Sequence, residues 1–151
     1  MNYVLDTNIV LLSLLNPVFA NDFERTYQPI LNRMIISVVS NGELESLAIQ
    51  RKWGNKRKQN LRDTLIDYLI HPIKVKSIID MYAQIDAYSQ GKLIDKPLPH
   101  GMSSRNMGKN DVWIAATAAI TNSTLITTDK DFNHLHSVFF EVDLIDISTY
   151  Y

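Results

Sequence analysis

Asp6 stands directly behind a short apolar run, in "YVLDTNIVL", where a core strand has no use for a charge. Carboxylates are seldom buried unless they are paired or bind a metal. Three more acids hold comparable positions. Glu43 follows the apolar run 34–39 within a turn, Asp129 follows Leu125-Ile126 after two threonines, and Asp111 opens an alanine-rich helical stretch. Brought together, such groups raise one another's pKa and oppose ionisation, so a cluster of them calls for a cation. An all-oxygen donor set suits a hard divalent ion, Mg2+ or Mn2+. Such an ion lowers the pKa of a coordinated water and neutralises charge on a phosphate, which makes phosphodiester hydrolysis the simplest chemistry for the group.

Rival chemistries lack their residues. There is no cysteine, no G-x-S-x-G turn and no glycine-rich phosphate loop, and His71, His100, His134 and His136 show no metal-ligand spacing. An aspartyl-phosphate mechanism through Asp6 would want D-x-D, but position 8 is Asn8. Each acid also has a purely structural use. Ser40-x-x-Glu43 reads as a capping box, in which Glu43 reaches back to a backbone N–H. Asp6, Asp111 and Asp129 would complement a helix dipole at its N-terminus. Four acids on one edge exceed what capping requires, and capping does not exclude metal binding. Asp129 and Asp131 remain alternatives for the fourth position, one as ligand and the other as cap.

These positions depend on the elements around them. Tyr3–Leu5 reads as a strand and Thr7–Leu15 as a helix, closed by Asn16-Pro17 because proline disfavours helix at the preceding residue. A second amphipathic helix is expected over Asn21–Asn32, with Pro29 kinking or shortening it. The run 34–39, nearly all apolar and largely β-branched, marks a strand covered on both faces, as in a parallel sheet. A helix should then begin at Ser40. Further helices are expected over 61–70, ended by His71-Pro72, and 79–88, with Ile73, Val75 and Ile78 as a third strand between them. The segment 91–108 holds three of the five glycines and two of the five prolines and reads as a long irregular connection. A helix over 111–120, a strand over 125–127, a short helix over 131–135 and a last strand over 142–147 complete the pattern. The stripe Trp113, Ala116, Thr117 and Ile120 is expected in the core. Strands alternating with crossover-length helices predict an α/β fold with a central, mostly parallel sheet of four to five strands flanked by helices. Sites in such sheets form outside the carboxyl ends of the strands, where the acids would converge.

The 151 residues are expected to form one domain, 1–151, with the 46% hydrophobic and 21% charged content of an ordinary globular protein. The lack of cysteine suits a reducing cytoplasm, and the apolar stretch 9–15 is too short to span a bilayer. Net charge is only −1, but Arg51, Lys52, Lys56, Arg57, Lys58 and Arg62 lie together with no acid among them, leaving −7 on the remainder. That asymmetry is either a solvated helix face or a footprint for a polyanion. Trp53, within it, is either core or a platform for a base.

With "YVLDTNIVL", "ISVVSNGELESLA" and "NDVWIAATAAITNSTLITTDKDF" in this order, the chain resembles the PIN-domain ribonucleases, most closely the VapC-like toxins of bacterial toxin–antitoxin pairs. The resemblance implies a PIN-like fold and an acidic Mg2+ or Mn2+ site formed by Asp6, Glu43, Asp111 and Asp129, supported by Asn8 and Thr127. It also implies endonucleolytic cleavage of RNA, a cognate antitoxin that blocks the site, and a homodimer. The sequence departs from the family in its longer 91–108 connection and in offering both Asp129 and Asp131 within "TTDKDF". A catalytically silent RNA-binding or regulatory module of the same fold is the rival reading, and it predicts RNA retention without metal-dependent cutting.

Overall fold

Residues of opposite parity in each central strand feed opposite faces of one sheet, and this alternation organises the computed structural model, which describes residues 1–151. The strands are β1 (Asn2–Leu5), β2 (Arg33–Ser37), β3 (Leu69–His71), β4 (Thr124–Thr127) and β5 (Val142–Leu144). They lie in the order β3-β2-β1-β4-β5 and every pairing is parallel. In the register that sets Val4 beside Ile35 and Leu125, these three side chains enter one core cluster. Their neighbours Leu5, Ile36 and Ile126 enter the other.

Six helices cover the two faces: α1 (Thr7–Leu15), α2 (Pro17–Tyr27), α3 (Val38–Gln50), α4 (Asn55–Leu65), α5 (Lys76–Ser89) and α6 (Lys109–Ile120). The first four bury Ile9, Phe19, Phe23, Leu44 and Leu61 on one side. On the other, α5 and α6 bury Ile78, Ile85, Val112 and Ile114. The α/β expectation is met, with five strands. No helix is long and apolar enough to cross a membrane.

Several expected boundaries shift for local reasons. α2 starts at Pro17, not Asn21, because Asn16 accepts from Phe19 N–H at 3.0 Å and proline suits a first helical turn. It stops at Tyr27, since Gln28, held out of the right-handed helix by Pro29, adopts φ 47°. β2 ends at Ser37 rather than Val39; the Ser37 hydroxyl accepts from Val39 N–H at 3.1 Å and starts α3 at Val38. The capping box at Ser40 and Glu43 therefore does not form. Ser40 lies inside α3, buried, with its Oγ unpartnered.

The third strand is Leu69–His71, paired with Ile35–Ser37, and not the segment of Ile73, Val75 and Ile78; Pro72 ends it and Ile78 is a core residue of α5. The last strand is confined to Val142–Leu144, and Ile147–Tyr150 forms a 3-10 turn. In α6, Ala116 and Thr117 are buried as expected, while Trp113 and Ile120 are half-buried. Trp53 is core, not a free platform: it is 5% exposed, packed in the α1–α4 cluster, with the Arg57 guanidinium 5.6 Å from its ring centre.

Candidate functional site

β1, β2 and β4 are adjacent and parallel, so whatever follows each of them emerges at the same end of the sheet. Asp6 follows β1 as the N-cap of α1, and its Oδ1 accepts from Thr7 N–H at 2.7 Å. Glu43 sits one turn into α3, which Ser37 begins directly after β2. Asp129 follows β4 and caps the 3-10 turn Lys130–Leu135, its Oδ1 accepting from Asp131 N–H at 2.8 Å. Asp111 lies in the first turn of α6. There its carboxylate reaches back towards Gly108, where an added Cβ would stand 3.4 Å from Oδ2.

The four carboxylates line one cleft of about 250 Å³. Thr7, Asn8, Ser46, Leu47 and Gln50 complete its wall, and no cation is among them. Two threonine hydroxyls organise the acids. Thr127 Oγ1 donates to Asp6 Oδ2 at 2.7 Å and accepts from Asp129 N–H at 3.0 Å, tying the β1 acid to the β4 turn. Thr7 Oγ1 donates to Glu43 Oε1 at 2.8 Å, tying α1 to α3.

Asp6 is 5% exposed. Burial pushes its carboxyl above the ordinary range, the Thr127 and Thr7 hydrogen bonds pull it back, and Asp129 and Glu43 push it up again. Asp111 is raised to about 6, by burial first and then by the charges of Asp6, Asp129, Glu43 and Asp131. Such a set fits a hard divalent cation: all its charged donors are carboxylates, and their mutual repulsion is uncompensated. No three of them are gathered as tightly as ligands around an ion.

Of the two acids in "TTDKDF", Asp129 lies in the cleft; Asp131 is exposed and lines the next depression. Asn8 lines the cleft as an exposed residue, and Thr127 is buried behind it. Thr7 went unrecognised in the sequence. Its place beside Asp6 was the available signal, since a residue next to a strand-end acid shares its turn.

Residues 3–137 match the family model of the PIN domain. The chain belongs to the PIN domain family. No curated protein matches this PIN domain in sequence. Solved structures match its fold across nearly the whole chain. VapBC2 from Rickettsia felis, bound to a DNA fragment from their promoter, gives a TM-score of 0.72 at 22% identity, covering 97% of this chain and 100% of that one. VapBC-1 from nontypeable Haemophilus influenzae gives 0.66 at 20% identity, covering 95% and 98%. VapBC-5 from Mycobacterium tuberculosis, a member of the VapBC family of toxin–antitoxin systems, gives 0.56 at 22% identity, covering 95% and 97%.

In this PIN domain the basic segment begins one residue beyond the cleft wall, which Gln50 ends. Arg51, Lys52, Lys56 and Arg57 are exposed, Lys58 is half-buried, and none is in a salt bridge. None of them lines the cleft.

Proposed function

We propose that this PIN domain, residues 1–151, is a divalent-metal-dependent endoribonuclease and the toxin of a toxin–antitoxin pair. One observation carries the reading: three neighbouring strand ends and the α6 N-terminus deliver four carboxylates to a single cleft with no cation in its wall. Asp6, Asp111 and Asp129 would hold Mg2+ or Mn2+, with Glu43 completing the set or orienting the attacking water. A divalent ion bound there supplies an acidified water and offsets charge on the scissile phosphate.

The chain's own groups do the rest. Thr127 fixes the Asp6 carboxylate and the Asp129 turn through one hydroxyl, and Thr7 fixes Glu43. Asp111, raised to about 6 by burial and its acidic neighbours, would release its proton as it takes up the ion, so metal uptake is coupled to proton loss at its carboxylate. Arg51, Lys52, Lys56, Arg57 and Lys58 offer unpaired cations to the phosphates of a bound strand. The family match supports nuclease chemistry, and the VapBC neighbours support a protein antitoxin as partner. A homodimer acting in the cytoplasm belongs to the same reading.

The test is incubation of purified protein with total RNA, with Mg2+, Mn2+ or EDTA, followed by mapping of new RNA ends. New ends that need the metal and vanish in Asp6→Asn are the expected result. RNA retention with no new ends under any condition would instead establish the silent binding module.

A further inference from the structure

Outside the cleft, Arg105 stands in the 91–108 connection among Ser103, Ser104, Asn106 and Met107, which with Asp131 line a separate depression of about 280 Å³. The guanidinium is in no salt bridge and donates no side-chain hydrogen bond to the protein, although Asp131 shares the depression. Its backbone is nonetheless fixed. Arg105 N–H donates to the buried Ser89 carbonyl at 2.7 Å, and Met107 is buried two residues on. The Ser89 hydroxyl meets His134 Nε2 at 2.7 Å, so this last residue of α5 holds both the connection, through its carbonyl, and the 3-10 turn that carries Asp131. A half-buried arginine whose loop is pinned while its donors stay free is set up to receive an acceptor from outside.

Strand order says where that acceptor lies. α3 with Glu43 follows β2, on one side of Asp6, whereas Asp129, Asp131 and the Arg105 depression belong to the β4 side. A strand that leaves the acidic cleft over Asp129, on the β4 side, therefore comes to Asp131, two residues on, and to the Arg105 depression that Asp131 lines. The cleft itself repels phosphates, so a fixed cation beyond it is what would hold a polyanion across it. The depression has room for several waters at about 30 Å³ each, hence for a phosphate group.

We propose that Arg105, framed by Ser103, Ser104 and Asn106, is a second phosphate-holding site for single-stranded RNA, on the β4 side of the acidic cleft. It rests on the ribonuclease reading for the identity of the strand but makes its own claim about binding. The test measures binding of a labelled uridylate RNA of about twelve nucleotides in EDTA, by fluorescence anisotropy, between about 50 and 200 mM salt. Arg105→Met should weaken affinity about tenfold and reduce the slope of log K against log salt by about 0.7, one single-strand phosphate contact. Arg105→Lys should recover the slope and part of the affinity, a pattern that loss of loop structure would not produce. Wild-type affinity and slope in Arg105→Met overturn the proposal, as does wild-type protein that fails to bind at the lowest salt. Metal-dependent cleavage is scored separately on total RNA. Cutting with an unchanged Arg105→Met slope removes this site and leaves the nuclease; a changed slope without cutting does the reverse.

Discussion

A buried carboxylate is tolerable only while its hydrogen bonds are kept, and at Asp6 these come from Thr127 and the Thr7 backbone. Thr127→Val preserves shape but withdraws a donor from a charged, buried acceptor and leaves Asp129 N–H without its acceptor. The expected cost is about 1 to 3 kcal/mol, read as a fall of several degrees in Tm, with Thr127→Ser close to wild type. Asp111 gives the residue scale a pH dependence. Between the ordinary carboxyl value of 3.8 and about 6, the folded protein holds a proton on Asp111 that the unfolded chain has released. Its contribution is therefore fully present below the lower value and lost as pH rises through about 6. Asp6, raised in the same direction, adds to the trend. In EDTA the wild-type Tm should fall from pH 4 towards pH 7 on their account, and Asp111→Asn should raise Tm at pH 7 and shallow the profile. A steeper profile in the variant would contradict the repulsion described here.

For the elements, the start of α3 decides whether Glu43 reaches the cleft. Ser37 performs the capping that the sequence pattern assigns to Ser40, so the two serines should respond oppositely to truncation. Ser37→Ala loses an N-cap worth about 1 kcal/mol. Ser40→Ala removes a buried hydroxyl with no partner and should leave stability unchanged or raise it. Thermal melts of the two variants check this, and a large loss in Ser40→Ala would restore the capping box. The boundary was hard to read because Val38 and Val39 continue a β-branched run. Their intrinsic preference for a strand is outweighed by a side chain, on Ser37, that satisfies the free Val39 N–H in the first turn of the helix.

In the molecule as a whole, the cleft joins groups from opposite ends of the chain, so an ion bound there would bridge α1, α3, α6 and the turn after β4. Binding to the folded state alone stabilises by mass action, about 2.7 kcal/mol when the ion exceeds its Kd a hundredfold. Mg2+ or Mn2+ should therefore raise the wild-type Tm at pH 7, by differential scanning fluorimetry. The gain should shrink as pH drops below about 6, where protons compete for Asp111. Asp6→Asn should lose it. An unchanged wild-type Tm at saturating metal would count against the cleft as an ion site.

Sequence by itself determined the alternation of strands and helices, the two-sided burial of the central strands, the three acids that follow them and the fourth at a helix start, because these are properties of local apolar pattern and punctuation. Only the tertiary structure decided that Asp129 rather than Asp131 shares the cleft, that Thr7 and Thr127 hold its acids, that Trp53 is core and that Arg105 stands unpaired in a depression of its own. Those are distances between residues far apart in the chain, set by the order in which parallel strands assemble, and no periodicity encodes them.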